Sequence, residues 1–322
     1  MKAAAYTRTG APEVLEYVDV PEPVAPPGGA LIEVRAIGVQ GGDVLNRAGG
    51  VMTADPHVVG YQAAGVITEL GDGTTGWQVG QRVVGSAPNG SHAELFAVGS
   101  SRLWAIPDNM SFEVAASVPI EFGTADDCLF EFGQLQPGET VLVQAAASGV
   151  GLAAVQLAKS AGARVLGTAS SDERLDRLAP YGLDVPINYR TTDVTAAALD
   201  ATDGRGVDLV LDSVGGRTLQ GSIAALAYRG RVSWVGNAGR ETDPPQIGAL
   251  MTKNATLRGV YLGAELNLDN GRAQAMIGRL IERVASGELV AVVDATFPLA
   301  EAAQAHRYIE SRAAFGRVVL VP

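Results

Sequence analysis

The chain has 322 residues, 47% hydrophobic and 18% charged, with 24 Lys and Arg against 35 Asp and Glu for a net charge of −11. That length exceeds most single cores, so two domains are expected, and the apolar content argues against a disordered chain. The acidic balance disfavours nucleic acid or phospholipid as a partner, no stretch reaches about 18 apolar residues, and the N-terminus lacks a signal core, so a cytoplasmic protein handling a small molecule is expected.

From residue 1 to about 119 the chain reads as short strands broken by glycine and proline. Residues 31–39 alternate, with Ile32, Val34 and Ala36 on one face and Glu33 and Arg35 on the other, as in a half-buried strand. A strand over 65–70 closes at Gly71, Asp72 and Gly73, and 79–85 and 92–98 follow as two more. Residues 43–47 form the one helical stretch here, and the prolines at 21, 23, 26 and 27 mark an exposed loop. A compact β-barrel-like domain is expected.

From about residue 124 strands and helices alternate. Residues 140–144 are a β-branched run suited to a strand buried on both faces; Ser148, Gly149, Val150 and Gly151 turn the chain; 152–161 is an Ala/Leu-rich helix; 164–168 is the next strand. Further strands are expected at 185–189, 207–212, 231–236 and 256–262, with helices at 193–201 and 218–227, which predicts a doubly wound parallel sheet of six strands. A helix over 271–286 and a strand over 316–321 come after the sixth strand and are expected to return to the first domain.

The turn between the first strand and its helix fits G-x-G-x-x-A through Gly149, Gly151 and Ala154, or one step earlier through Ala146, Ser148 and Gly151. Glycine there lets a pyrophosphate approach the amide groups of the helix N-terminus, although a bare strand-to-helix turn has the same spelling. At the end of the second strand an NAD site places a carboxylate for the ribose hydroxyl. Ala169 stands there instead, followed by Ser170, Ser171 and Arg174, a set suited to the 2′-phosphate of NADP. Ser170 also reads as the N-cap of the next helix, with Glu173 completing a capping box.

Taken in order, GVQGGDVLNRAG, VGYQAAGVI, the glycine turn, VPINYR, VDLVLDSVGG, GRVSWVG and ESRAAFGRVVL resemble the medium-chain dehydrogenase/reductase superfamily. More narrowly they resemble its zinc-independent branch, the NADPH:quinone oxidoreductases of the zeta-crystallin type. The resemblance implies an α/β architecture: a GroES-like β-barrel catalytic domain over 1–123 and 263–322, and a Rossmann NADP-binding domain over 124–262. It also implies NADPH as cofactor and a homodimer built on the edge strand 256–262. Gln40, Tyr61 and Ile120 fall where zinc-dependent members hold the metal with cysteine, histidine and cysteine, and Gln62 falls where a glutamate usually follows the histidine. No metal is therefore expected, in keeping with a single cysteine, Cys128, and three scattered histidines, His57, His92 and His306. Cys128 reads as a buried small hydrophobe, and each histidine as a surface or capping residue.

By the same resemblance Thr124, Ser148, Gly149, Val150, Ser170, Arg174, Tyr189, Gly236, Asn237 and Arg317 fall at cofactor-contacting places. Plainer readings stand beside them: Tyr189 ends a strand, Gly236 relieves crowding, Arg317 pairs with an acidic neighbour. Asp43 reads as structural, bonded to backbone or to Arg47. Gln40, Asn46 and Tyr61 are the candidates facing the substrate, and Tyr61 is either the proton donor or a buried tyrosine satisfied by backbone. Without a metal to stabilise an alkoxide, the chemistry favoured is hydride addition to a quinone or an α,β-unsaturated carbonyl. An enoyl thioester reductase is the second enzyme reading, and a non-catalytic NADPH-binding sensor the reading from another class.

Overall fold

Aliphatic and β-branched runs that can be buried on both faces build a parallel sheet in the middle of the chain. The computed structural model describes residues 1–268 and 271–322. In it the strands Thr140–Val143, Arg164–Ala169, Val185–Asn188, Val207–Asp212, Leu226–Trp234 and Thr256–Gly259 form one six-stranded sheet. Counted along the chain, their spatial order is third, second, first, fourth, fifth, sixth, with every neighbouring pair parallel. The order reverses between the first and fourth strands, the switch point at which sheets of this kind bind nucleotides beyond the carboxyl ends of their strands.

Several element boundaries move relative to the sequence reading. The first helix of this sheet is Gly149–Ser160, three residues ahead of the expected start, because Ser148 caps it by accepting from the Gly151 amide. Every residue from Gly151 to Ala158 is buried, which explains why its sequence is apolar almost all round. The second strand runs one residue further than expected, since Ala169 pairs with Asn188, and the following cap slips with it. Ser171, not Ser170, is the N-cap of the helix Asp172–Asp176, so the expected Ser170–Glu173 capping box does not form. The sixth strand stops at Gly259, shorter than the 256–262 expectation.

Residues Glu121–Leu262 make one compact unit; Met1–Ile120 and Gly263–Pro322 make the other. In the second of these, the strand Gly29–Val39 is central, pairing antiparallel with Gln62–Leu70, Leu95–Gly99 and Arg317–Val321. The strand is buried at nearly every position, alternation surviving only at Glu33 and Arg35, and with a register shift between Val34 and Ala36 it places Ile32, Val34 and Ile37 in one core with Phe96, Val318 and Leu320. The strand Val293–Pro298 is absent from the sequence reading. None of its six residues is fully buried and Thr296 and Pro298 are exposed, so its place in the sheet rests on parallel pairing with Arg317–Val321. Among the described residues no helix is long and apolar enough to cross a membrane.

The histidines depart most from expectation. His57, His92 and His306 are only 3%, 0% and 0% exposed, none of them a surface residue. His92 and His306 lie far apart in sequence, yet their Nε2 atoms meet at 3.2 Å in the core. One Nε2 donates and the other accepts, so the contact pairs one nitrogen of each ring, while both Nδ1 atoms are buried without a partner among the described residues. Cys128 is buried, and burial pushes its thiol well above the ordinary cysteine range.

Candidate functional site

Most of the cofactor candidates belong to the unit built on the parallel sheet, several of them at its carboxyl edge, and Arg317 lies in the other unit. Ser148, Gly149 and Val150 form the first turn after the first strand, each partly exposed. A Cβ on Gly151 would lie 2.3 Å from the Ala145 carbonyl oxygen, so the helix packs flat on its own turn only with glycine there. Ala145 itself holds a positive φ of 52°, which bends the chain sharply between strand and helix. The result is a helix N-terminus opened toward the switch point, with the geometry and partial positive charge that suit a pyrophosphate.

Beside it, Ala169 is a buried apolar strand end, and the Tyr189 amide donates to its carbonyl at 3.2 Å. Ser170 and half-exposed Arg174 follow on the same chain segment, and Tyr189 is 40% exposed. The register therefore brings Ser170, Arg174 and Tyr189 to the ends of two adjacent strands, where no carboxylate replaces Ala169. Gly236 lies at the end of the fifth strand, where its carbonyl accepts from the Trp234 indole. Exposed Asn237 packs its amide over Gly215 of the neighbouring turn, where a Cβ would come within 2.5 Å of it. Thr124 is buried in the helix Pro119–Asp126. These donors, turns and open backbone fit a dinucleotide carrying a 2′-phosphate.

The remaining candidates belong to the other unit, around the helix Gly41–Gly49. Arg47 pins this helix: its buried guanidinium donates to the Gly10 carbonyl and to Glu310, each at 2.5 Å. Asp43 is structural, accepting from the Gln40 amide at 2.8 Å. Gln40 is 2% exposed, whereas Asn46 is exposed and Tyr61 partly so. A Cβ on Gly42 would lie 2.3 Å from the Tyr61 hydroxyl, so the phenol rests against the first turn of the helix in a slot that glycine leaves open. Sequence reasoning gave Gly42 no part; its role becomes visible only through the approach of Tyr61. Arg317 is buried and donates to the Val39 carbonyl at 2.5 Å.

The positions matched to zinc ligands do not fit a metal. Gln62 donates its amide to the Ala116 carbonyl and accepts from the Ile120 amide at 2.8 Å, so it ties Ile120 to the sheet. Gln40 turns its side-chain amide toward the Gly38 carbonyl. A phenol, two carboxamides and an aliphatic side chain are not the thiolate and imidazole set that zinc takes. Among the described residues no group of three His, Cys, Asp or Glu is placed to hold a metal ion.

With fold and site in view, comparison with known proteins gives a consistent answer. The alcohol dehydrogenase GroES-like domain family matches residues 26–108, and the zinc-binding dehydrogenase family matches 149–283. A quinone oxidoreductase of Pseudomonas aeruginosa is 34% identical, over 100% of this chain and 99% of its own. The 2-haloacrylate reductase of a Burkholderia species is 33% identical, over 99% and 98%. A phenolphthiocerol/phthiocerol polyketide synthase subunit of Mycobacterium tuberculosis is 35% identical over 91% of this chain, which spans only 14% of that protein. Among solved structures, a quinone oxidoreductase of Escherichia coli complexed with NADPH superposes with a TM-score of 0.94 at 29% identity, covering 100% of both chains. The chain belongs to the medium-chain dehydrogenase/reductase superfamily, in its quinone oxidoreductase branch, and is an oxidoreductase.

Proposed function

We propose that this protein is an NADPH-dependent reductase that adds hydride to a quinone or to an α,β-unsaturated carbonyl compound. The observation that carries this reading is the hydrogen bond from the Ile120 amide to Gln62. It ties the place matched to a zinc cysteine, now the non-ligating Ile120, to the residue after Tyr61, and with Gln40 and Tyr61 at the other two places no ligand set remains for the Lewis acid that alcohol oxidation requires. When bound, NADPH supplies the hydride, and the chain's task is to bind, orient and protonate. Ser148, Gly149 and Val150 hold the pyrophosphate end. Ser170, Arg174 and Tyr189 hold the 2′-phosphate, with Thr124, Gly236, Asn237 and Arg317 completing the cofactor contacts. Tyr61, Asn46 and Gln40 serve the acceptor.

The test is steady-state turnover of NADPH and NADH with a panel of quinones, enones and simple alcohols, for the parent and for Arg174→Ala. Quinone or enone reduction with NADPH is expected, insensitive to chelators. Arg174→Ala should weaken NADPH about ten- to a hundredfold and leave NADH unchanged, the effect of one charge-assisted contact to phosphate. A parent with equal affinity for the two cofactors defeats the assignment of Arg174, and oxidation of simple alcohols alone defeats the reductive reading. The match to part of a polyketide synthase favours enoyl thioesters as a second acceptor class, so one belongs in the panel.

The same reading makes the protein a cytoplasmic homodimer. The sixth strand is a sheet edge, and Tyr228, Met251 and Tyr261, on segments that adjoin or follow it, are 63%, 80% and 75% exposed. Bare edges invite pairing, and a two-fold partner satisfies them in a closed way. Light scattering at micromolar concentration should give twice the mass of the chain; a monomer there removes the dimer. Fractionation of the source cells should leave it with soluble cytoplasmic markers, and recovery in a membrane or secreted fraction contradicts that placement.

A further inference from the structure

Beneath the carboxyl edge of the parallel sheet, four buried polar side chains from separate elements join end to end. The Ala145 amide donates to Thr168 Oγ1 at 3.0 Å, and Thr168 Oγ1 donates to Gln144 Oε1 at 2.9 Å. Gln144 Nε2 donates to Ser222 Oγ at 3.1 Å, and Ser222 Oγ donates to Asp212 Oδ2 at 2.7 Å. The other oxygen of Asp212 accepts from the Val214 and Gly215 amides, both at 2.9 Å. All four side chains are buried, and the chain of bonds crosses from the second strand to the first, through the helix Gly216–Ala224, to the fourth.

Direction is imposed from one end. A backbone N–H can only donate, so Ala145 commits Thr168 to accept from it and to pass its own hydrogen to Gln144. That fixes the Gln144 amide, which commits Ser222, and the series ends on a group with no hydrogen to give. Both oxygens of Asp212 receive donors, as a carboxylate requires. Burial pushes the Asp212 carboxyl up, and the bonds from Gly215, Ser222 and Val214 oppose that rise. Serial bonds in a low dielectric reinforce one another, and a break leaves orphaned polar atoms on both sides.

The two ends are turns at the switch point. One is the Ala145–Ser148 bend, where the positive φ of Ala145 is held by the Thr168 contact and the Ser148 amide donates to the Ala145 carbonyl at 2.9 Å. The other is the turn at Ser213–Gly215, over which Asn237 packs. We propose that Thr168, Gln144, Ser222 and Asp212 act as positioning residues that hold these two turns in register for the pyrophosphate of the bound dinucleotide. The proposal rests on the cofactor reading above.

Thr168→Val keeps the side-chain shape and removes the hydroxyl, leaving the Ala145 amide and Gln144 Oε1 unpaired. Binding is read by NADPH fluorescence and by competition with adenosine 2′-monophosphate, a probe that carries the 2′-phosphate and no pyrophosphate. Thr168→Val is expected to weaken NADPH about tenfold, to leave adenosine 2′-monophosphate within about twofold, and to be restored by Thr168→Ser. NADPH affinity equal to the parent's overturns the network while leaving the cofactor assignment intact. An equal loss for both ligands, or failure of Thr168→Ser to restore, shows general damage to the fold and also overturns it. A parent that binds no NADPH overturns the cofactor reading, and the network's role with it. Should Thr168→Val fail to fold, Ser222→Ala breaks the same series away from the turn and decides by the same criteria.

Discussion

Moving from pH 7 to pH 5 is expected to cost the folded state on the order of 2 kcal/mol through His92, with a further loss in the same direction from His306. Both are fully buried; burial lowers His92 to about 3, and burial, then His92, then Arg47 hold His306 well below its ordinary value. The unfolded chain titrates near 6.5 and so takes up protons first as the pH falls. Stability is therefore present above about pH 6.5 and drains away below it, at about 1.4 kcal/mol per unit for His92 and in the same sense for His306. Charging the pair sets two imidazolium rings against each other at 3.2 Å, with the buried Arg47 guanidinium adding to the repulsion. Asp212 acts in the opposite sense: its raised carboxyl binds a proton in the folded state first, which returns some stability as the pH falls. The carboxylates held low by ion pairs, such as Asp184 and Asp208, lose their contribution only nearer pH 4, outside this window. Urea midpoints at pH 7 and pH 5 check this, with the double variant His92→Phe, His306→Met expected to flatten the slope. A parent with the same midpoint at both values, or a double variant as acid-sensitive as the parent, refutes it.

The sequence reveals most where a local pattern decides the structure. Thr140–Val143 and the Leu209–Val210–Leu211 run of the fourth strand are buried on both faces, and their aliphatic and β-branched residues announce that without knowledge of their partners. The parallel pairing of the sheet follows from the alternation of strands and helices, while its strand order is seen only in the structure. Legibility falls where a distant contact decides. Nothing near His92 signals that His306 will cover it, and isolated polar residues default to the surface when read locally. Val293–Pro298 alternates Val293, Ala295 and Phe297 with Asp294 and Thr296, but over six residues, none fully buried, the pattern stands out only once its pairing with Arg317–Val321 is seen. Ser170 and Ser171 are equally good caps by composition, and the choice falls to Ser171 only because Ala169 is drawn into the ladder with Asn188. At the site, the turn and Arg174 are legible as types, while the clamp by Gln62, the slot at Gly42 and the series ending at Asp212 exist only as juxtapositions.

Tyr61→Phe is expected to lower kcat for enone reduction about a hundredfold, the scale of a lost general acid, with KM changed far less. Hydride addition leaves an enolate or a hydroquinone anion, which needs a hydrogen-bond donor as charge develops and then a proton. Around the helix Gly41–Gly49 the choice of donor is narrow. Asn46 is exposed and able to donate a hydrogen bond, but a carboxamide does not give up its proton at neutral pH. Gln40 is buried with its amide directed to the Gly38 carbonyl, and Asp43 is buried with one carboxyl oxygen accepting from the Gln40 amide. Tyr61 is the partly exposed side chain in this neighbourhood with a transferable proton, and Gly42 leaves room for its hydroxyl at the first turn of the helix. There the helix dipole favours negative charge close by, which assists a phenol that has just released its proton. Phenylalanine preserves the ring and its packing, so a fall in turnover with NADPH affinity unchanged assigns the loss to the hydroxyl. A solvent isotope effect on kcat that is present in the parent and disappears in the variant, where the remaining slow step is hydride transfer, makes the same assignment independently. Turnover of Tyr61→Phe within about twofold of the parent shows that water delivers the proton and that the phenol only shapes the pocket.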